Sequence, residues 1–430
     1  VNKEEYVEPV EFYDAHCHVL TLSHPDFLSF LDTVRNRRLE SFYAQATSPN
    51  YLVGALFFKG GERIRNMLSV MENDVASIFA LMEDDLAGKY AKPGDPPPLL
   101  AGSELVLGRL RFDRLVIAPL IMDFEMKSFS PSDTYYDRPP AKPVEAQVKD
   151  VLYGLREYRR SRPNGFLEVR PFLGINTRNY RIDELEALLE SAFASYRRGA
   201  AAAHEAFMSM KDFDVESSEP LPLCFAGVKL YPPLGFDPWP DSPAEREKVD
   251  LLYSFCEARD IPVTSHCDDQ GFRVISLEDA WSFTSPARWR KALEAHPGLR
   301  LDLAHFGAQY SRPVGRSKSL SLRESLNQST EWTEEIIRLM GDFPRVYTDI
   351  SFNGSEASYY DHFLVLLEGL PSAMRDLVIT RVLFGSDFMV NLSKIRSYSD
   401  YYRLFADSAL PDEWKRLLGH DNPRAFLTGE

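Results

Sequence analysis

Eight short apolar runs, at residues 12–20, 114–124, 167–176, 226–231, 261–266, 299–305, 345–352 and 381–388, alternate with stretches of helical character, and this constrains the fold more than any other feature of the chain. Parallel strands cannot be joined by tight hairpins; they need crossovers, usually helices. Eight such units in 430 residues predict an α/β protein, a (β/α)8 TIM barrel, with long insertions after strands one and two. The competing arrangement is an open doubly wound sheet, which would bind its ligand at a switch point. Residues 1–430 read as one barrel domain, with 21–110 as an insertion or lid within it.

Local signals fill in the connections. Residues 51–58 form a short apolar run, and Ile64, Met67, Leu68, Met71, Val75, Ile78 and Leu81 keep helical spacing over 62–86. Gly60-Gly61 reads as a plain turn, since no Lys-Ser/Thr follows it. The proline-rich stretch 93–98 is a surface connection, and 125–143 is a loop. Ser242-Pro243-Ala244-Glu245 predicts a capping box with proline in the first turn. Asn422-Pro423 predicts a cap before a short last helix.

A net charge of −15 disfavours nucleic-acid and anionic-membrane partners, which call for a basic face. A small-molecule substrate, with a carboxylate in view, and a homo-oligomer are the partners expected. Cys17, Cys224, Cys256 and Cys267 form no Cys-x-x-Cys pair and read as free thiols in a reducing compartment. No apolar run approaches a membrane span and no secretory leader is legible, so a cytoplasmic location is the expectation. The first residue is Val1, which leaves open what precedes it. The sequons at Asn327, Asn353 and Asn391 read as chance.

Polar residues fall at the ends of several runs. The first ends in His16-Cys17-His18, whose i and i+2 side chains share a face of a strand and can grip one divalent cation. Asp14 lies two residues earlier and could orient one imidazole. Cys17 and Cys267, each next to a motif histidine, should turn the other way and be buried. Lys229, His266, His305 and Asp387 stand in or at the end of runs four, five, six and eight. Ionisable groups beside apolar strands are costly unless paired or metal-bound. In a barrel these ends converge on the C-terminal face, where active sites lie. His24, His204, His296, His362 and His420 lie in loops or helices and read as solvated, as does Asp268-Asp269. Tyr231, Arg273, Gln309, Arg312, Asn353 and Asn391 follow strand ends and are candidates to line the pocket.

Asp14-Ala-His16-Cys-His18, His266, His305 and Gly385-Ser-Asp387, taken in order, resemble the amidohydrolase superfamily, and within it the branch of metal-dependent hydrolases that includes 2-amino-3-carboxymuconate-semialdehyde decarboxylase. The resemblance runs over nearly the whole chain. It implies His16, His18, His266 and Asp387 as metal ligands, with His305 beside the reacting group. Three imidazoles and a carboxylate leave a position open for water, whose pKa a bound zinc lowers. Zinc is expected first, with manganese or iron also suited to these donors, and one metal is favoured over two. Asp387 could take the water's proton, and His305 could polarise a carbonyl or protonate a leaving group. Lys229 stays open: a carboxylated bridge between two metals, a substrate-facing ammonium, or a lysine snorkelling from its strand. The expected function is a metal-dependent hydrolase that uses metal-activated water to cut a C–N or C–O bond. The alternatives are non-oxidative decarboxylation of an unsaturated or aromatic acid, and a barrel that binds metal and ligand without catalysis.

Overall fold

A computed structural model describes residues 10–24, 61–125, 144–198, 225–309 and 330–429. Its strands are β1 (Glu11–Cys17), β2 (Leu100–Ala101), β3 (Glu104–Leu107), β4 (Leu110–Phe112), β5 (Arg114–Pro119), β6 (Leu167–Val169), β7 (Phe172–Gly174), β8 (Gly227–Leu230), β9 (Val263–Ser265), β10 (Leu301–Leu303), β11 (Val346–Asp349) and β12 (Val382–Leu383). The helices with eight or more residues are α1 (Gly61–Met71), α2 (Val75–Leu86), α3 (Val144–Ser161), α4 (Ile182–Ala192), α5 (Pro243–Arg259), α6 (Leu277–Thr284), α7 (Glu331–Asp342), α8 (Ala357–Glu368), α9 (Ser372–Ile379) and α10 (Tyr398–Ala406). Shorter helices, among them Trp289–Ala295 and the C-terminal Asn422–Thr428, complete the set.

The strands that carry the polar residues are parallel throughout. They form one sheet in the order β1-β5-β6 and another in the order β12-β11-β10-β9-β8-β7. Backbone bonds join the two sheets at both margins. Leu120 bridges Phe172 on one side; on the other, Ala15 N donates to Phe384 O (3.0 Å) and Asp387 N to His16 O (2.7 Å). The fold is thus α/β, with strand order following chain order from β5 to β12 and β1 beside β5.

The third apolar run divides in two. Pro171 has no N–H to give a ladder, so β6 pairs with β5, while β7, beyond the proline, pairs with β8. The helical pattern over 62–86 also breaks in two: Asp74 sits in extended backbone and its side chain accepts from Ser77 N (2.8 Å), which starts α2 afresh. Residues 100–112 form an antiparallel meander where only insertion was expected. Gly102 and Gly108, both at positive φ, sit in its two-residue turns, and Leu105, Leu107 and Phe112 are buried. Ser242 precedes Pro243 at the start of α5 as expected, but its side chain makes no capping bond. Asn422 is no cap either: it lies within the last helix, and its amide donates to Ile379 O and Val382 O.

Burial corrects the reading of several side chains. His24 is buried against Asp150, His296 lies against the Tyr253 ring, and His420 donates from Nδ1 to Glu11 O; none of the three is solvated. His362 is exposed, as expected. Cys17, Cys256 and Cys267 are free and buried. Burial drives the thiols of Cys17 and Cys267 well up, so they are inert apolar groups. Asn353 and Asn391 are buried. No helix among the described residues is long and apolar enough to cross a membrane. Residues 51–58, Gly60, His204, Cys224, Arg312 and Asn327 lie outside the described residues.

Candidate metal centre

The centre is built where β1 meets the turn after β12. Gly385 lets the two come close: a Cβ there would lie 2.6 Å from His16 Cβ and 3.0 Å from Ser351 Cβ. Asp387 follows in left-handed backbone (φ 55°), a conformation a non-glycine residue adopts only when its surroundings enforce it. Here they do. Asp387 N is bonded to His16 O, Ser386 N to Asp14 Oδ1 (2.8 Å), and Asn391 Nδ2 to Ser386 O (2.8 Å).

His16, His18 and Asp387 converge. His16 Nε2 lies 3.5 Å and His18 Nε2 3.2 Å from Asp387 Oδ1. The Nδ1 atoms are already committed, His16 Nδ1 donating to Asp349 Oδ2 (2.6 Å) and His18 Nδ1 to Leu120 O (2.9 Å). With Nδ1 tied in this way, each imidazole turns Nε2, the atom free to bind a cation, toward the carboxylate. Donors on a tetrahedral ion with bonds of 2.0–2.1 Å stand about 3.3 Å apart. The observed spacings fit that figure.

His266 and His305 form the adjoining wall. The His305 ring lies 4.8 Å from that of His16 and 4.9 Å from that of His266, and His305 Nε2 is 3.1 Å from His266 Nδ1. His266 Nε2 faces Asp268 Oδ1 at 3.1 Å. Among the described residues, close donor groups are thus His16/His18/Asp387, His16/His305/Asp349 and His266/Asp268/His305, and His266 falls in a neighbouring group rather than the first. His305 also has positive φ (62°), fixed by Asp349 Oδ1 accepting its N–H (2.9 Å) and by its Nδ1 facing Ser351 Oγ (2.8 Å).

The electrostatics call for a cation. Asp268, Asp302, Asp349 and Asp387 are all buried here. Burial pushes the Asp349 carboxyl up, but the hydrogen bonds it accepts from His16 and Ser351 hold it well below the usual range. Burial lowers His16 to about 3, so it is neutral and able to ligate. Burial also lowers Lys229, to about 8, although Asp349 and Asp302 push back.

Asp14 does not orient an imidazole. A β-bulge between Asp14 and Cys17 breaks the alternation, so Asp14 faces away from His16 and accepts from Tyr398 and Tyr402 of α10 (2.9 and 3.2 Å). Asp349, at the end of β11, orients His16 instead. Asp268 and Asp269 are buried rather than solvated. Asp302, Asp349 and Ser351 went unread, although the rule used for the other strands, a polar group in or after an apolar run, would have found all three. Of the pocket candidates, Tyr231 lays its ring 4.6 Å from that of His266, while Asn353 donates to His305 O (2.6 Å). Gln309 accepts from Trp332 N (3.1 Å), and half-buried Arg273 donates to Ile275 O (3.3 Å).

A parallel α/β sheet with histidines and carboxylates gathered at its strand ends defines a metal-dependent enzyme. A family model described as amidohydrolase matches residues 222–428 of the chain. No curated protein matches the chain. Among solved structures it is similar to a probable 2-pyrone-4,6-dicarboxylic acid hydrolase from Acinetobacter baumannii with citric acid bound, at 11% identity and a TM-score of 0.45, over 97% of this chain and 99% of that one. A 2,6-dihydroxybenzoate decarboxylase complexed with 2,6-dihydroxybenzoate gives 11% identity and a TM-score of 0.45, over 98% and 99%. A zinc-bound amidohydrolase from Burkholderia ambifaria gives 13% and 0.37, over 98% and 85%.

Proposed function

We propose that the protein is a metal-dependent hydrolase that cuts a C–N or C–O bond of a small molecule, on a closed (β/α)8 barrel forming a single domain. The observation that carries this reading is the spacing of His16 Nε2, His18 Nε2 and Asp387 Oδ1, with both Nδ1 atoms tied elsewhere. These three would hold one divalent cation, zinc first, and His266 would complete the set by turning Nε2 from Asp268. The cation, when bound, supplies a Lewis acid that makes water acidic near neutral pH. Asp387 takes up the proton of the attacking water. His305, held by Ser351, delivers a proton to the leaving group. Lys229 offers an ammonium to a carboxylate of the substrate.

The resemblance to the decarboxylase branch supports the second reading, loss of carbon dioxide at the same cation. One experiment separates them. Purified protein is stripped of metal, reloaded with zinc, manganese or iron, and screened against amides, lactones and aryl or unsaturated carboxylic acids in ¹⁸O-labelled water. Label in the product marks hydrolysis; carbon dioxide release marks decarboxylation. Metal bound as tightly by a His16→Ala/His18→Ala variant as by the wild type would sink both.

A further inference from the structure

One step back along the strands from the metal centre, three polar side chains stand in a row. Lys229 on β8 pairs in register with Thr264 on β9, and Thr264 with Asp302 on β10. Lateral neighbours in a parallel sheet project from the same face. The flanking Val228, Leu230, Leu301 and Leu303 are fully buried and apolar. Tyr231, two residues past Lys229 and so on its face, lays its ring against His266, which turns the row toward the centre.

All three residues are buried, and Lys229 Nζ lacks a hydrogen-bond partner among the described residues, while the Asp302 carboxyl has only Thr264 and Asp349 beside it. Unpaired polar groups are expensive in a core, and ionisable ones most of all. A lysine and an aspartate kept together on one row, with a hydroxyl between them, are costly as packing and coherent as a device. Neighbouring strands lie about 4.8 Å apart, so two strand spacings separate the lysine from the acid. The lysine's four-carbon arm can close most of that gap.

We propose that Asp302, acting with Thr264, is a positioning residue for Lys229, holding its ammonium group toward an anionic group of the substrate at the inner wall of the site. This rests on the reading of Lys229 given above. Asp302 is the carboxyl group on the lysine's own row. Asp349 and Asp387 also act on Lys229, but each is engaged by the imidazoles of the centre. Replacing Asp302 with a neutral residue therefore removes the carboxyl on the lysine's own row, while the metal donors stay as they are.

The test reads the lysine directly. Zinc-loaded protein is pulsed with acetic anhydride across pH 6–11, and acetylation of Lys229 is followed by mass spectrometry against exposed Lys291. In Asp302→Asn the midpoint of the Lys229 profile should fall by about one pH unit, making the residue about tenfold more reactive at low pH. Asp302→Glu should restore it. A merely structural role predicts the opposite sign, because opening the core to water would move the midpoint up toward that of an ordinary lysine. An unchanged or raised midpoint overturns the proposal. Should Asp302→Asn fail to fold, Thr264→Val carries the test, with a smaller fall expected and no fall counting against the proposal. Turnover plays no part in this readout, so its failure leaves the metal centre standing, and failure of the metal experiment leaves this result standing.

Discussion

Asp349 does more for the centre than any residue outside the donor set. Its Oδ2 accepts from His16 Nδ1, while its Oδ1 accepts the backbone N–H groups of His305 and Ser351 and the hydroxyl of Ser351. One carboxylate thus fixes the tautomer of a ligand and the left-handed backbone of its neighbour. Asp349→Asn should weaken zinc binding about 10- to 100-fold, measured by competition with a chromophoric chelator. Unchanged affinity would mean that His16 is oriented by something else. Residue types at strand ends were legible because ionisable groups seldom follow apolar runs without a reason. Their partners were not. Whether Asp14 or Asp349 serves His16 depends on a bulge, and one extra residue in a strand leaves no mark in the hydrophobic pattern.

At the scale of elements, the strands could be read because each is a buried apolar run, and the errors lie where a single residue cancels a period. Pro171 splits one strand, and Asp74 splits one helical pattern. Asp74→Ala should cost about 1 kcal/mol through loss of its bond to Ser77 N, read from the denaturation midpoint. A shift no larger than that of an exposed control such as Glu72→Ala would deny the cap its role. Asp123, beyond the end of β5, accepts from Asn176 N and Asn179 Nδ2 and so ties two strand ends together. Burial raises its carboxyl from 3.8 to about 6. The folded state therefore holds this proton more tightly than the unfolded chain. The associated stability is complete below about pH 4 and is lost as the pH rises through 6, amounting to about 3 kcal/mol. Melting curves of wild type and Asp123→Asn should converge or cross over that window, and parallel curves would refute the assignment.

For the molecule as a whole, the alternation of strand and helix was enough to establish a parallel α/β sheet, because crossover connections leave few alternatives. It could not supply the small antiparallel meander, whose strands are too short to show a period. The same whole-molecule logic governs how metal and folding are linked. His16 and His18 come from β1, Asp387 follows β12, and their donor atoms meet only in the folded chain. A cation that binds this arrangement, and binds the unfolded chain far more weakly, must stabilise the fold, by about 2.7 kcal/mol at a free concentration of one hundred times Kd. Chelation should therefore lower the melting temperature of the protein, and added zinc should restore it in a concentration-dependent manner. His18→Ala should abolish the response. His420→Ala, which removes a buried histidine bonded to Glu11 O, should lower the melting temperature but keep the zinc response intact. A zinc-dependent shift of equal size in His18→Ala would place the cation elsewhere in the molecule, and with it the chemistry.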